Sequence, residues 1–328
     1  MKRKVKGIGL ISGGLDSMLA VKVLQEQDLD LLGLTFITPF FGAEPGVSAG
    51  RITGIPVRVV DIGEQHLRML KNPRYGYGSQ MNPCIDCHAL MLQEAGRLME
   101  SEGAAFLFTG EVLGQRPMSQ RRDSLRSVEN LSGHPGRVLR PLSAKLLPPT
   151  IPEMEGLVDR DRLLAIQGRG RKPQRALAAH YCITEYPESG GGCMLTKEGY
   201  ADRLRALLQQ NPQASVHEVE FLKWGRNFRL PGGSWCIIGR NQAGNERLEA
   251  LAAEEDLILR APDYKGATGL LMGSSFSEDD LPLAASLIVA YSDTPSDAPV
   301  KVVWRGRERA GELAAYKVEK NQFTQYLV

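Results

Sequence analysis

The chain is poor in cysteine: five residues among 328, an odd number. So sparse and uneven a set excludes a disulfide framework as the source of stability. It lacks strong charge of either sign, with a formal net charge of +2. Charge alone therefore gives no case for a nucleic-acid or membrane-surface protein. It has no apolar run approaching the ~18 residues that a membrane span requires, so no membrane partner is expected. The basic start is followed by an apolar stretch that feeds directly into a small-residue turn, which excludes a signal-peptide pattern and predicts a cytoplasmic protein. No internal repeat or low-complexity segment interrupts the chain.

What is there begins at Ser12-Gly13-Gly14-Leu15-Asp16-Ser17. An apolar run, Val5 to Ile11, precedes it and a helical pattern, Met18 to Leu24, follows. The order strand, small-residue turn, helix brings backbone N–H groups at a helix N-terminus to a point where glycine lets a ligand come close. The Ser12 and Ser17 hydroxyls add donors for an anion, and Asp16 is a candidate Mg²⁺ ligand facing it. The Walker pattern is absent, since no Gly-Lys-Ser/Thr follows four free positions. The plain alternative is a tight turn with Ser12 as a helix cap.

Short apolar runs at 5–11, 31–37, 56–61 and 104–109 alternate with helical segments at 15–27 and about 85–102. That alternation predicts an α/β fold: a parallel sheet with helices on both faces. Ligands on such sheets bind beyond the carboxyl ends of strands, where Ser12, Phe36 and Gly110 fall. Residues 140–152 are broken by proline, and 168–175 and 187–192 read as surface loops. From about 213 the character changes. Residues 216–221 and 234–239 read as strands, 241–255 as a helix, and the rest as short strands and loops ending in a strand at 315–318. The expected division is 1–208 and 209–328, the second a smaller α+β domain. Basic residues gather at 116–126, 169–175, 223–229 and 301–309; such patches are weak support for RNA contact.

Pro83-Cys84-Ile85-Asp86-Cys87 places two cysteines at a predicted helix start, where the dipole lowers thiol pKa values. Cys193, in Gly190-Gly191-Gly192-Cys193, is the expected third member. Three thiolates suit a [4Fe-4S] cluster with one open iron. The alternatives are a persulfide resolved by disulfide exchange, a structural zinc with His88 or another residue as a further ligand, and plain buried thiols. Cys182 and Cys236 read as small core residues.

The six-residue loop resembles the PP-loop of ATP pyrophosphatases, whose domain is HUP-like. Thr109-Gly110-Glu111-Val112-Leu113-Gly114-Gln115, then Ser119-Gln120 and Arg140-Pro141-Leu142, resemble blocks of bacterial tRNA 4-thiouridine synthetases. The resemblance covers roughly residues 5–205. The two separated cysteine motifs are similar to those of PP-loop tRNA thiolases that hold a [4Fe-4S] cluster through three cysteines. Residues 213–328 resemble an RNA-binding domain of NFACT-type proteins, through Lys223 to Phe228 and Ile238 to Asn241. The chain departs from the typical 4-thiouridine synthetase in having no RNA-binding region ahead of the loop and no rhodanese-like extension.

The resemblance implies ATP on Ser12, Gly13, Gly14 and Ser17, and Mg²⁺ on Asp16. Gly110 and Glu111 would line the nucleotide site and Phe36 would meet the adenine through its backbone or ring. Adenylation of a tRNA uridine would be followed by sulfur transfer at Cys84, Cys87 and Cys193, fed by sulfide or a cysteine desulfurase. Arg116, Arg121 and Arg122 are candidate contacts to tRNA phosphates, and Trp224 and Phe228 candidate base-stacking residues. The expected product is 4-thiouridine; 2-thiouridine synthesis, a PP-loop amide ligase and a non-catalytic RNA-binding protein are the alternatives. Bland roles compete for several residues: a helix-dipole charge for Glu111, a core position for Phe36, and a surface position for His88.

Overall fold

A computed structural model describes residues 4–187, 192–307 and 309–328. The chain forms two compact units, Met1–Thr196 and Lys197–Val328.

In the first unit the strands are β1 (Lys6–Leu10), β2 (Asp30–Ile37), β3 (Val57–Asp61), β4 (Phe106–Thr109) and β5 (Val138–Leu139). They form one parallel sheet in the order β3-β2-β1-β4-β5. The helices are α1 (Leu15–Gln25), α2 (Glu44–Thr53), α3 (Gly63–Lys71), α4 (Cys84–Glu102), α5 (Arg122–Ser132), α6 (Ile151–Met154) and α7 (Lys172–His180). Side chains alternate across the pleat and feed two cores. Phe106 and Phe108 of β4 pack with Leu15 and Leu19 of α1, Ala49 of α2 and Ala178 of α7. Leu107, between them, packs with Ile8, with Leu92 and Met99 of α4, and with Val128 of α5. Helices therefore cover both faces, as the sequence predicts. Strand order reverses between β1 and β4, so their carboxyl ends open the crevice where ligands of such sheets bind.

The second unit begins at Lys197, ahead of the expected 208/209 division. The reason is α8 (Glu198–Gln210), which packs on α9 (Val216–Phe221): the Tyr200 hydroxyl donates to the Val219 carbonyl and Arg203 Nε to the Leu222 carbonyl. Residues 216–221 are thus a helix where a strand is expected. Ser215 and Glu218 form a reciprocal capping box that fixes the helix start against the β-branched residues within it. Beyond lie β6 (Arg226–Arg229), β7 (Trp235–Ile238), α10 (Gln242–Leu251), β8 (Leu257–Arg260), β9 (Gly269–Leu271), α11 (Leu281–Ala290), β10 (Val300–Arg305) and β11 (Ala310–Ala315). The strands make an antiparallel sheet in the order β11-β10-β8-β9-β7-β6. The largely apolar α11, started by Pro282, packs on it and supplies Ala284, Leu287 and Ile288 to the core. The sequence reading placed only strands and loops there. The final strand also ends earlier than expected, at Ala315. Among the described residues no helix is long and apolar enough to cross a membrane.

Candidate functional site

The loop after β1 is built to stay open. Gly13 has φ +84°, and a Cβ there would lie 2.4 Å from the Pro45 carbonyl carbon, so no other residue fits without movement. Gly14 is the N-cap of α1 and supplies no side-chain cap. The Ser17 hydroxyl donates to the Gly14 carbonyl at 2.7 Å, and the exposed Ser12 hydroxyl accepts from Gly14 N–H at 3.4 Å. Ser12 therefore orders the turn and does not cap the helix. Gly110, at the end of β4, packs directly on the first turn of α1.

Asp16 stands in a polar network. Its Oδ2 accepts from Gln115 Nε2 at 2.6 Å, and Gln115 Oε1 accepts from Gln174 Nε2 at 2.8 Å. Arg171 Nη2 lies 3.8 Å from the same Asp16 oxygen. A parallel bridge from Leu113 to Gln167, with Gly168 N–H donating to the Leu113 carbonyl at 2.8 Å, brings the approach to α7 beside this loop. Three buried polar atoms of the network have no protein partner: Asp16 Oδ1, Arg171 Nε and Gln174 Oε1.

Glu111 is buried, not a dipole-complementing charge at a helix start. Its Oε2 accepts from Arg140 Nε at 3.0 Å and from the Thr109 hydroxyl at 3.1 Å; its Oε1 lies 2.9 Å from His88 Nδ1. Arg140 is shared with Glu129 at 3.0 Å and with the Leu125 carbonyl. Burial alone would raise the Glu111 pKa, but Arg140 and His88 outweigh it and hold the carboxyl at about 2. The Thr-Gly-Glu and Arg-Pro-Leu segments thus meet in one ion pair, and His88 joins it rather than facing solvent alone.

The cysteine motif lies one residue from His88. Cys84 opens α4 and accepts from Asn82 Nδ2 at 3.2 Å. Cys87 Sγ lies 3.2 Å from Nε2 of His66, a fully buried residue of α3 flanked by the Phe40 and Phe41 rings. Burial lowers the His66 pKa to about 4, so at neutral pH the ring is uncharged. Cys193 is tied in through its neighbour: Met194 N–H donates to the Phe40 carbonyl at 3.1 Å. Burial pushes the Cys87 thiol up, and Cys193, Cys84 and Asp86 push it further. Cys193 is pushed up to about 11, first by burial and in part by Cys84. The three cysteines are therefore electrostatic neighbours. The lowered thiol pKa expected from the helix dipole is overturned at Cys87, because burial and adjacent acidic groups oppose it. Among the described residues no three His, Cys, Asp or Glu side chains are placed to hold a metal ion, so the arrangement supports neither the expected [4Fe-4S] cluster nor the zinc alternative. Gly190 and Gly191 lie outside the described residues.

Other expected positions divide. The Phe36 ring belongs to the core, which leaves only its backbone for a ligand. Phe228 is likewise core and is not a stacking residue; Trp224 is half-buried beneath Arg247. Arg116, Arg121 and Arg122 are exposed. Cys236 is buried as expected, but Cys182 is exposed. Cys182 follows the C-cap of α7 at φ +54°, a left-handed position that ends the helix and turns the side chain outward. His66, Gln115, Arg171 and Gln174 are absent from the sequence-based site. Gln115 sits inside a motif noted there, and Arg171 and Gln174 inside the 168–175 segment expected to be a surface loop, which from Lys172 is instead helix α7 with Gln174 fully buried; His66 carries no local signal.

Residues 225–327 match the family model of the NFACT protein RNA binding domain, as expected from the C-terminal resemblance. No curated protein matches the chain. Solved structures similar to it include the C-terminal part of the fibronectin/fibrinogen-binding protein from Streptococcus suis, 13% identical, covering 47% of this chain and 78% of that one, with a TM-score of 0.29. A predicted subunit of tRNA methyltransferase from Methanocaldococcus jannaschii is 15% identical, covering 54% and 76%, with a TM-score of 0.34. NMN synthetase from Francisella tularensis is 10% identical, covering 58% and 91%, with a TM-score of 0.28.

Proposed function

We propose that the protein is an ATP-dependent tRNA uridine thiolase, forming 4-thiouridine. The observation that carries the reading is the run of contacts that starts at the Gly-Gly turn opening α1, passes through Gly110, Glu111 and His88 and reaches the Cys84–Cys87 motif, with Cys193 anchored through Met194 to Phe40, a ring neighbour of His66. Gly110 touches α1, Glu111 follows it, and Glu111 holds His88, the neighbour of Cys87. The loop and the thiols thus belong to one continuous set of contacts. The matched RNA-binding domain in the second unit supports an RNA substrate.

In this reading Ser12, Gly13, Gly14 and Ser17 cradle the ATP phosphates, and the open N-terminus of α1 faces their charge. Asp16 would hold Mg²⁺, which neutralises phosphate charge, and its partnerless Oδ1 suits that role. The uridine O4 attacks the α-phosphorus, pyrophosphate leaves, and the oxygen becomes part of a good leaving group. Sulfur then displaces AMP. Positioning and charge neutralisation supply most of the acceleration. Cys84, Cys87 and Cys193 would be the residues to hold a [4Fe-4S] cluster, which would supply a place for sulfide from an external donor such as a cysteine desulfurase. His66 orients Cys87, and Asn82 orients Cys84.

The test is a two-part assay with unmodified tRNA, Mg·ATP and sulfide. Wild-type protein releases pyrophosphate only with tRNA and yields 4-thiouridine. Asp16→Asn abolishes both products, while Cys87→Ser keeps pyrophosphate release and loses thiolation. Formation of 2-thiouridine instead keeps the chemistry and changes the position. Pyrophosphate release that ignores tRNA overturns the proposal.

A further inference from the structure

We propose that α7 supplies the second half of the phosphate site: Arg171 binds the pyrophosphate portion of ATP, and Gln174, through Gln115, holds Asp16 in place. This rests on reading the loop after β1 as the ATP site. Arg171 is mostly buried, yet its Nε has no partner, and its Nη2 stands 3.8 Å from Asp16, beyond hydrogen-bond distance. Arginine and carboxylate frequently close into a bidentate pair, and Arg171 and Asp16 do not. Asp16 keeps a second carboxylate oxygen that is also buried and unpartnered. Two side chains whose nearest charged atoms are 3.8 Å apart thus each keep an unpartnered atom, an acceptor on Asp16 and a donor on Arg171, which matches a ligand that brings both a cation and an anion. A magnesium-bound triphosphate is such a ligand.

Gln174 is completely buried, and its Nε2 donates to Gln115 Oε1 at 2.8 Å. That bond fixes the Gln115 amide so that its Nε2 faces Asp16 Oδ2. One carboxylate oxygen is thereby committed to the protein and the other is left for the metal. The remaining Gln174 Oε1 is an acceptor for a metal-bound water.

In the reaction the uridine O4 bonds to the α-phosphorus and the bond from that phosphorus to the bridging oxygen breaks. The electron pair leaves on pyrophosphate, and the uridine N3 proton passes to solvent. Charge grows on the departing pyrophosphate, where the Arg171 guanidinium neutralises it.

The experiment is calorimetric binding of Mg·AMPCPP, which cannot release pyrophosphate, and of AMP, which has no β- or γ-phosphate. Arg171→Ala should weaken AMPCPP by about tenfold to a hundredfold, the range for a charged hydrogen-bonded partner, and leave AMP unchanged. Arg171→Lys should recover part of the loss. Gln174→Leu should raise the Mg²⁺ concentration needed for AMPCPP binding, with AMP again unchanged. Far-UV dichroism of each variant establishes that it folds. Equal loss of AMP and AMPCPP, or none of either, overturns the role of Arg171. If wild-type protein binds neither nucleotide, the ATP reading fails and this inference fails with it.

Discussion

Gly110 lies against the peptide joining Asp16 to Ser17, so closely that a Cβ on it would stand 2.5 Å from both the Asp16 carbonyl carbon and the Ser17 nitrogen. The end of β4 and the start of α1 are locked at the point where strand order reverses. Gly110→Ala must move backbone, not a flexible side-chain tip. The expected cost is about 1–3 kcal/mol, with loss of nucleotide affinity. Urea unfolding and AMPCPP binding measure the two effects; a variant as stable and as tight-binding as wild type would show that the contact is loose.

The Glu111–Arg140 pair should be a stability determinant of the first unit. Arg140→Met leaves the Glu111 carboxylate buried without its main partner. The expected loss is about 3–5 kcal/mol. All three tryptophans, Trp224, Trp235 and Trp304, lie in the second unit. Far-UV dichroism should therefore register the destabilisation, while tryptophan fluorescence reports the second unit's own transition. A loss below about 1 kcal/mol would indicate that water or His88 compensates Glu111.

His66 makes the metal-free, reduced chain acid-sensitive. Its folded pKa of about 4 lies below the ordinary 6.5, so the unfolded chain binds a proton that the folded chain refuses. Stability is complete above about pH 6.5 and falls as pH drops toward 4, by roughly 3 kcal/mol in total. His66→Gln should flatten this part of the profile. An unchanged slope between pH 6.5 and 4 in the variant would assign the acid sensitivity elsewhere.

The thiols should react in a fixed order. Cys182 is exposed and should be alkylated first by iodoacetamide in the native protein. Cys236, raised by burial and by Asp280, should react only on unfolding. Peptide mass mapping of a labelling time course reads the order. Early labelling of Cys236 would contradict its place in the β7 core.

Four strands of the parallel sheet were legible because they are short, largely apolar runs, whereas β5, only Val138–Leu139, is too short to read; the loop was legible because chemistry constrains six consecutive positions. The long-range partners were not. Arg140 is read as a motif, but nothing local tells that it lies against Glu111. His66 lies on the buried face of α3 with Leu67 and Leu70, where a histidine reads as one more packed residue, and nothing local tells that it lies against Phe40, Phe41 and Cys87. Residues 216–221 misled because β-branched Val216 and Val219 and the Val219-Glu220-Phe221 alternation favour a strand, while Ser215 and Glu218, which decide for helix, lie at the edge and within the segment. Cys182 misled for a similar reason: its apolar neighbours suggested a core, and the left-handed turn after α7 took it out.

The central claim is sulfur transfer to tRNA uridine, and nucleoside mass spectrometry of bulk tRNA tests it most directly. The comparison is between cells lacking the gene and the same cells carrying the wild-type gene or Cys87→Ser. The account predicts that 4-thiouridine disappears without the gene, returns with the wild-type copy and stays absent with the variant. Thionucleoside levels that are the same in all three strains would contradict it.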